Sequence, residues 1–199
     1  CYAEAEAGKN FDKQLKAIEE RYNEIIKGLG LKLSLKEQFE TIRKNFEAKA
    51  GTDYAASRGE YLNGIIMANY LGYEFIDAAS VICFDANGEF DGEKTNKVMG
   101  DRLANVESAV IPGFYGAMPN GAVKTFSRGG SDVTGSIVAR AIKADVYENW
   151  TDVSGFLAAD PRIVDNPRPI DIITYKELRE LSYMLSLIHI SEPTRHAQI

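Results

Sequence analysis

Ala109-Val110-Ile111-Pro112-Gly113 and, after a glycine-rich stretch, Ser127-Arg128-Gly129-Gly130-Ser131-Asp132 decide how this sequence reads. The first is a short apolar run stopped by Pro-Gly, the pattern of a buried strand. The second leads straight into Val133 to Ile142, which reads as a helix. A strand, a glycine-rich crossover and a helix are the parts of a parallel sheet with helices on its faces.

The same alternation continues outward. Glu74 to Ile76 and Ala79 to Phe84 read as short strands, Glu93 to Leu103 as a helix, and Ala144 to Trp150 as a strand. Thr174 and Glu177 cap a last helix reaching about Met184. The first third is helical. Phe11, Leu15, Ile18, Tyr22 and Ile25 make one apolar stripe, ended by Gly28-Leu29-Gly30. Ser34 and Glu37 form a capping box for a helix carrying Phe39, Ile42 and Phe46. A third helix is expected from about Tyr54 to Leu71, with Ser57, Arg58, Gly59 and Glu60 near its start.

Composition narrows the function classes. The 199 residues are 45% hydrophobic and 26% charged, ordinary for a globular domain. With 23 basic against 29 acidic residues the net charge is −6, which argues against nucleic acid as a partner. No apolar run is long enough to span a bilayer, so no membrane partner is expected. Two cysteines, Cys1 and Cys83, make neither a disulfide framework nor a zinc site and fit a reducing cytoplasm. Both histidines, His189 and His196, lie in the last eleven residues. Histidine-based triads and histidine-ligated metal sites are thereby excluded from residues 1–184, and no metal-ligand set is assigned. Carboxylates, lysine, arginine, hydroxyls and backbone amides remain, a set that suits phosphoryl transfer.

The 127–132 run is the sharpest candidate site. Adjacent Gly129 and Gly130 let backbone amides approach an anion, and the following helix adds unpaired N–H donors and a positive dipole end. Arg128 can grip a carboxylate in a bidentate fork. Asp132 can cap the helix, or orient a lysine or a metal. A loop with a capped helix start accounts for the same residues equally well. No lysine follows the glycines, so this is no Walker A loop. Trp150-Thr151-Asp152-Val153-Ser154-Gly155 falls at the end of an expected strand, where open α/β sheets bind ligands. Asp160-Pro161-Arg162 reads as a plain turn initiated by Asp160 and fixed by Pro161; otherwise Arg162 would be available to a phosphate. Glu60 alone would be a solvated helix carboxylate.

Arg58-Gly59-Glu60, Ser127 to Asp132, Trp150 to Val153 with Gly155, and Ala159-Asp160-Pro161-Arg162 occur in an order and spacing that resembles the aspartate kinases of the amino-acid kinase family. The likeness covers roughly residues 1–184. It implies a three-layer αβα sandwich with a mainly parallel sheet. It further implies transfer of the γ-phosphoryl group of MgATP to the side-chain carboxylate of L-aspartate, giving 4-phospho-L-aspartate for lysine, threonine and methionine synthesis. ATP and Mg2+ are the implied cofactors. Glu60 would meet the substrate amino group and Arg128 its α-carboxylate, with Ser131 nearby. Gly129 and Gly130 would cradle phosphates, and Asp132 would organise a catalytic lysine. Thr151, Asp152 and Arg162 would contact the nucleotide. A homo-oligomer of the full-length protein is compatible with the resemblance.

The departures carry expectations too. The Lys-Phe-Gly-Gly motif of the family is absent, and Leu157 stands where many members carry tyrosine. Residues 1–184 are therefore expected to be part of a catalytic domain, truncated at both ends and inactive alone. Residues 185–199 change character, and Ser186 to Arg195 resembles translated sequencing adaptor, so this tail reads as foreign or disordered. The rival readings are another amino-acid kinase, acting on glutamate, acetylglutamate or a nucleoside monophosphate, and a non-catalytic aspartate- or nucleotide-binding protein.

Overall fold

A computed structural model describes residues 1–127, 130–150, 157–159, 163–174, 176–177 and 180. The expectations for Arg128, Gly129, Thr151, Asp152, Arg162 and the 185–199 tail lie outside the described residues. The chain divides into two compact units, Cys1–Ala144 and Asp145–Ile199.

Unit one opens with helices α1 (Tyr2–Glu6), α2 (Asp12–Gly28), α3 (Lys36–Glu47) and α4 (Thr52–Leu71). Their apolar faces meet in one core containing Leu15, Leu35, Phe39, Ile42, Phe46, Leu62 and Ile66. Phe46 meets Tyr2 and Tyr54 edge-on at 5.2 and 6.3 Å between ring centroids, pairs worth about 0.5–1.5 kcal/mol each beyond area burial. Two helical details differ from expectation. On α2, Ile26 is buried while Ile18 and Ile25 stay exposed, so the stripe turns toward Ile26 at its end. On α3, Ser34 and Glu37 form no capping box: Leu35 takes the N-cap position and is 1% exposed. Burial of a leucine, about 1.5–3 kcal/mol, outweighs a cap worth about 1 kcal/mol. Ser34 Oγ instead accepts from Lys36 N at 3.4 Å.

The α/β part follows. Strand β1 (Glu74–Phe75) lies parallel to β2 (Ala109–Val110), with Glu74 opposite Ala109 and Phe75 opposite Val110. Between them come α5 (Ala78–Val81) and α6 (Gly92–Leu103). Where a strand was expected over Ala79 to Phe84, a one-turn helix stands first, and only Cys83 and Phe84 make strand-like bridges. Asp77 is the reason: its side chain caps the turn by accepting from Ala79 N at 3.1 Å. Asp91 starts α6 the same way, accepting from Lys94 N at 3.0 Å. The glycine-rich stretch holds an unforeseen antiparallel hairpin of β3 (Tyr115–Ala117) and β4 (Val123–Thr125). Cys83 bridges Ala117 in parallel, which joins the hairpin to the strand-like segment after α5. Helix α7 (Gly130–Ile142) then packs on α6, with Gly100 against the Ala141 carbonyl. A second core gathers Ile76, Val81, Ile82, Met99, Tyr115 and Ile137. These parallel and antiparallel pairs flanked by helices are an α/β architecture.

The strand expected over Ala144 to Trp150 is absent: the segment is irregular, with Val146 72% and Trp150 88% exposed. Apolar alternation makes a strand only where one face is buried. In unit two, Leu157 pairs with Pro169 in an antiparallel bridge. The expected capping box forms: Thr174 Oγ1 accepts from Glu177 N at 3.3 Å and Glu177 Oε2 accepts from Thr174 N at 2.9 Å. No helix among the described residues is long and apolar enough to cross a membrane.

Candidate active site

The site is built where β2 ends. Ile111, Pro112, Gly113 and Phe114 connect β2 to β3, and this turn lies against both candidate helices. On one side stands α4. A Cβ on Gly64 would sit 3.1 Å from Phe75 and 3.4 Å from Pro112, so glycine lets the helix approach β1 and the turn. Glu60 precedes Gly64 by four residues and shares its helix face. It is half-buried. Its neighbour Gly59 has its carbonyl held by Tyr22 OH, which donates at 3.0 Å. Burial pushes the Tyr22 phenol above its usual range, and the Glu60 carboxylate adds to the shift.

On the other side stands the start of α7. A Cβ on Gly113 would meet Ser131 Cα and Oγ at 3.0 Å. A Cβ on Gly130 would sit 2.4 Å from Phe114 Cβ and 2.7 Å from its Cα. Gly130 therefore has a packing reason to be glycine in addition to any approach of an anion. Phe114 occupies the left-handed region, with φ 62°, at a cost of about 1–2 kcal/mol for a residue with a Cβ. Both its backbone groups are fixed. Its N–H donates to Thr134 Oγ1 at 3.0 Å, and its carbonyl accepts from Phe126 N at 2.9 Å. Thr134 Oγ1 also donates to the Gly130 carbonyl at 2.7 Å. The turn and the helix start are thus one clamped unit, with Asp132 half-buried in the first turn of α7.

The structure brings Gly130 and Ser131 to this turn, and Glu60 lies one helical turn before Gly64, which meets Pro112. Gly130 and Ser131 open α7, and a helix N-terminus carries a positive dipole end, the ordinary setting for an anion. Sequence reasoning missed Thr134 and the hairpin. It also missed a second feature of α4: Arg58, 8% exposed, has its guanidinium carbon 4.5 Å from the ring centroids of both Tyr54 and Tyr61 and 5.5 Å from that of Tyr115. Tyr54 and Tyr61 lie four residues before and three after Arg58, a helical-face signal that was available in the sequence. Among the described residues no cluster of three or more acidic, cysteine or histidine side chains could hold a metal ion.

The model of the Amino acid kinase family matches residues 5–191, and the chain belongs to that family. Among curated relatives, Aspartokinase 3 of Bacillus subtilis is 39% identical over 66% of this chain and 31% of its own length. Aspartokinase 1 of the same organism is 32% identical over 66% of this chain and 34% of its own. Among solved structures, the aspartate kinase of Clostridium acetobutylicum is 57% identical, with a TM-score of 0.85 over 92% of this chain and 42% of that one. Escherichia coli aspartokinase III in complex with aspartate and ADP is 26% identical, with a TM-score of 0.71 over 87% of this chain and 43% of that one. The chain thus spans 31 to 34% of these curated relatives and 42 to 43% of these solved chains.

Proposed function

We propose that this chain belongs to an aspartate kinase, which moves the γ-phosphoryl group of MgATP to the side-chain carboxylate of L-aspartate. The observation that carries the reading is the 57% identity and TM-score of 0.85 to the Clostridium acetobutylicum aspartate kinase across 92% of the chain. In the reaction a carboxylate oxygen of aspartate attacks the γ-phosphorus. The bond to the β,γ-bridging oxygen breaks, and the products are 4-phospho-L-aspartate and ADP. Both reactants are anionic, so positioning and charge neutralisation dominate the chemistry.

The roles are those the family resemblance implies by position, and the residue types fit them. Glu60 takes the substrate ammonium, and Arg128 takes the α-carboxylate as a fork. Gly129, Gly130 and the first turn of α7 receive phosphate oxygens, with Ser131 beside them. Asp132 orients a lysine that neutralises the transferring group. Thr151, Asp152 and Arg162 hold the nucleotide. Mg2+ bound to ATP would supply neutralisation of phosphate charge. The free thiols of Cys1 and Cys83 suit a reducing cytoplasm.

The test is aspartate-dependent ADP release by the catalytically complete protein that carries these residues, with glutamate, acetylglutamate and a nucleoside monophosphate as rival acceptors. Activity with aspartate alone is expected. Arg128→Lys should raise the aspartate KM, because a point charge replaces a fork. A rise confined to the ATP KM would remove Arg128 from the substrate site. These 199 residues, which contain no Lys-Phe-Gly-Gly motif, are expected to release no ADP above a mock control.

A further inference from the structure

A second group of polar side chains lies on the face of α4 that carries Arg58, away from Glu60. Glu37, Gln38, Thr41 and Ile42 of α3 and Tyr54, Arg58 and Tyr61 of α4 line a cleft of about 160 Å³, room for about five waters at liquid density. Arg58 is more than nine-tenths buried, yet it makes no ion pair among the described residues. Its Nε donates to the Tyr54 carbonyl and Ser57 Oγ at 3.3 and 3.2 Å, and Nη2 donates to Ser57 Oγ at 2.9 Å. Nη1 takes part in none of these bonds. Flanking tyrosine rings favour the cation but offer its N–H groups no in-plane acceptor.

Gln38, which also lines the cleft, has its Oε1 buried without a hydrogen-bond partner among the described residues. Leaving such an acceptor unsatisfied is costly, so native structures seldom do so without a reason. An unused guanidinium edge asks for an anion, and an unused carbonyl oxygen asks for a donor. The Glu37 carboxylate at the same cleft adds preference for a cationic donor and opposes a multiply charged anion.

We propose that this cleft is a binding site for a small zwitterionic α-amino acid, with the ligand carboxylate on Arg58 and its ammonium group on Gln38 Oε1 and the Glu37 carboxylate. The site is separate from the one under Proposed function and does not depend on that reading. The pairing is the one an amino acid needs: a planar fork for the carboxylate and two acceptors for the ammonium. Phosphate would satisfy Arg58 while leaving Gln38 without a donor and facing Glu37.

The purified 199-residue chain is titrated by calorimetry with L-alanine, acetate, methylammonium and inorganic phosphate. L-Alanine is expected to bind, with the other three each weaker by about tenfold or more, since each lacks one charged hydrogen-bonding half or mismatches it. Arg58→Lys and Gln38→Leu should each weaken L-alanine by about tenfold or more, and Arg128→Lys should leave it unchanged. Thermal melts identify which variants remain folded. Gln38→Leu, a near-isosteric change, decides the matter if Arg58→Lys does not fold. Absence of L-alanine binding, phosphate binding as tightly as L-alanine, or unaltered affinity in a folded Gln38→Leu variant would overturn the proposal. So would loss of binding in Arg128→Lys with binding kept in Arg58→Lys, which would assign the ligand to the other site.

Discussion

Thr134 holds Phe114 in a left-handed conformation, its Oγ1 accepting the Phe114 N–H at 3.0 Å while donating to the Gly130 carbonyl at 2.7 Å. One buried hydroxyl, 3% exposed at residue level, therefore joins the turn after β2 to the first turn of α7. Thr134→Val keeps the shape and removes both bonds. It leaves the Phe114 N–H unsatisfied beside the core, so a loss of about 1–3 kcal/mol is expected in urea unfolding. Thr134→Ser should recover most of it. Equal stability of the valine and serine variants would show that the hydroxyl carries no weight.

Close approach at glycine gives a second, sharper contrast. A Cβ on Gly116 would sit 2.5 Å from the Ile82 carbonyl oxygen, and one on Gly130 2.4 Å from Phe114 Cβ. Neither neighbour is the end of a flexible chain, so Gly116→Ala and Gly130→Ala should each destabilise by about 1–3 kcal/mol. Gly59, inside α4, has only Tyr22 OH at 3.9 Å from its would-be Cβ. Gly59→Ala should be neutral or stabilise by up to about 1 kcal/mol, through lower unfolded-state entropy and better helix propensity. Thermal melts of the three variants would check the order.

The same residues show what the sequence could and could not convey. Helices α2 and α3 were legible because Phe11, Leu15, Ile18, Tyr22 and Ile25, and then Phe39, Ile42 and Phe46, recur at steps of three and four. The run Ala79 to Phe84 was not: six mostly apolar residues fit a strand or a buried turn equally, and the Asp77 cap decided it. The β3–β4 hairpin hid among glycines, although Asn120-Gly121 before Val123 is a hairpin signal, and Gly121 takes φ 80°. Of the candidate site, the place of Gly130 and Ser131 at a helix start was readable from the glycine pair before an apolar run. Their neighbours were not. Gly113 meets Ser131 from 18 residues away and Phe114 meets Gly130 from 16, a juxtaposition that only tertiary packing creates.

Asp53 ties α4 to the hairpin and makes stability sensitive to acid. Lys124 Nζ lies 3.1 Å from Asp53 Oδ2, and Thr125 Oγ1 donates to Oδ1 at 3.0 Å. Partial burial by itself would raise the carboxyl, but the hydrogen bonds from Lys124 and Thr125 outweigh it and hold Asp53 below the usual carboxylate range. A depressed folded value means that the folded state binds fewer protons than the unfolded one near pH 4. The contribution is complete above the unfolded value of about 3.9 and is lost as pH falls through the lower folded value. Asp53→Asn should cost roughly 1 kcal/mol at pH 7, and its melting-temperature gap to the wild type should close below about pH 4. A gap that stays constant down to pH 2.5 would remove the carboxylate charge from the account.

Tyr115 supplies the alkaline counterpart. Its ring is fully buried and its hydroxyl donates to Asp77 Oδ1 at 2.7 Å. Burial pushes the phenol far above its ordinary value, and the Asp77 carboxylate pushes it further, outweighing the opposing pull of Arg58. In the unfolded chain the same phenol ionises near pH 10. Above that pH the folded state therefore holds a proton that the unfolded state has lost, and stability falls as pH rises. Tyr115→Phe removes this proton from the balance. The variant should lose about 1–2 kcal/mol at pH 7, because Asp77 loses a donor, yet its melting temperature should fall less steeply than that of the wild type between pH 9.5 and 11.5. The remaining slope belongs to Tyr22 and Tyr61, both also raised by burial. Parallel curves for wild type and Tyr115→Phe across that range would mean that Tyr115 ionises in the folded protein as readily as in the unfolded one.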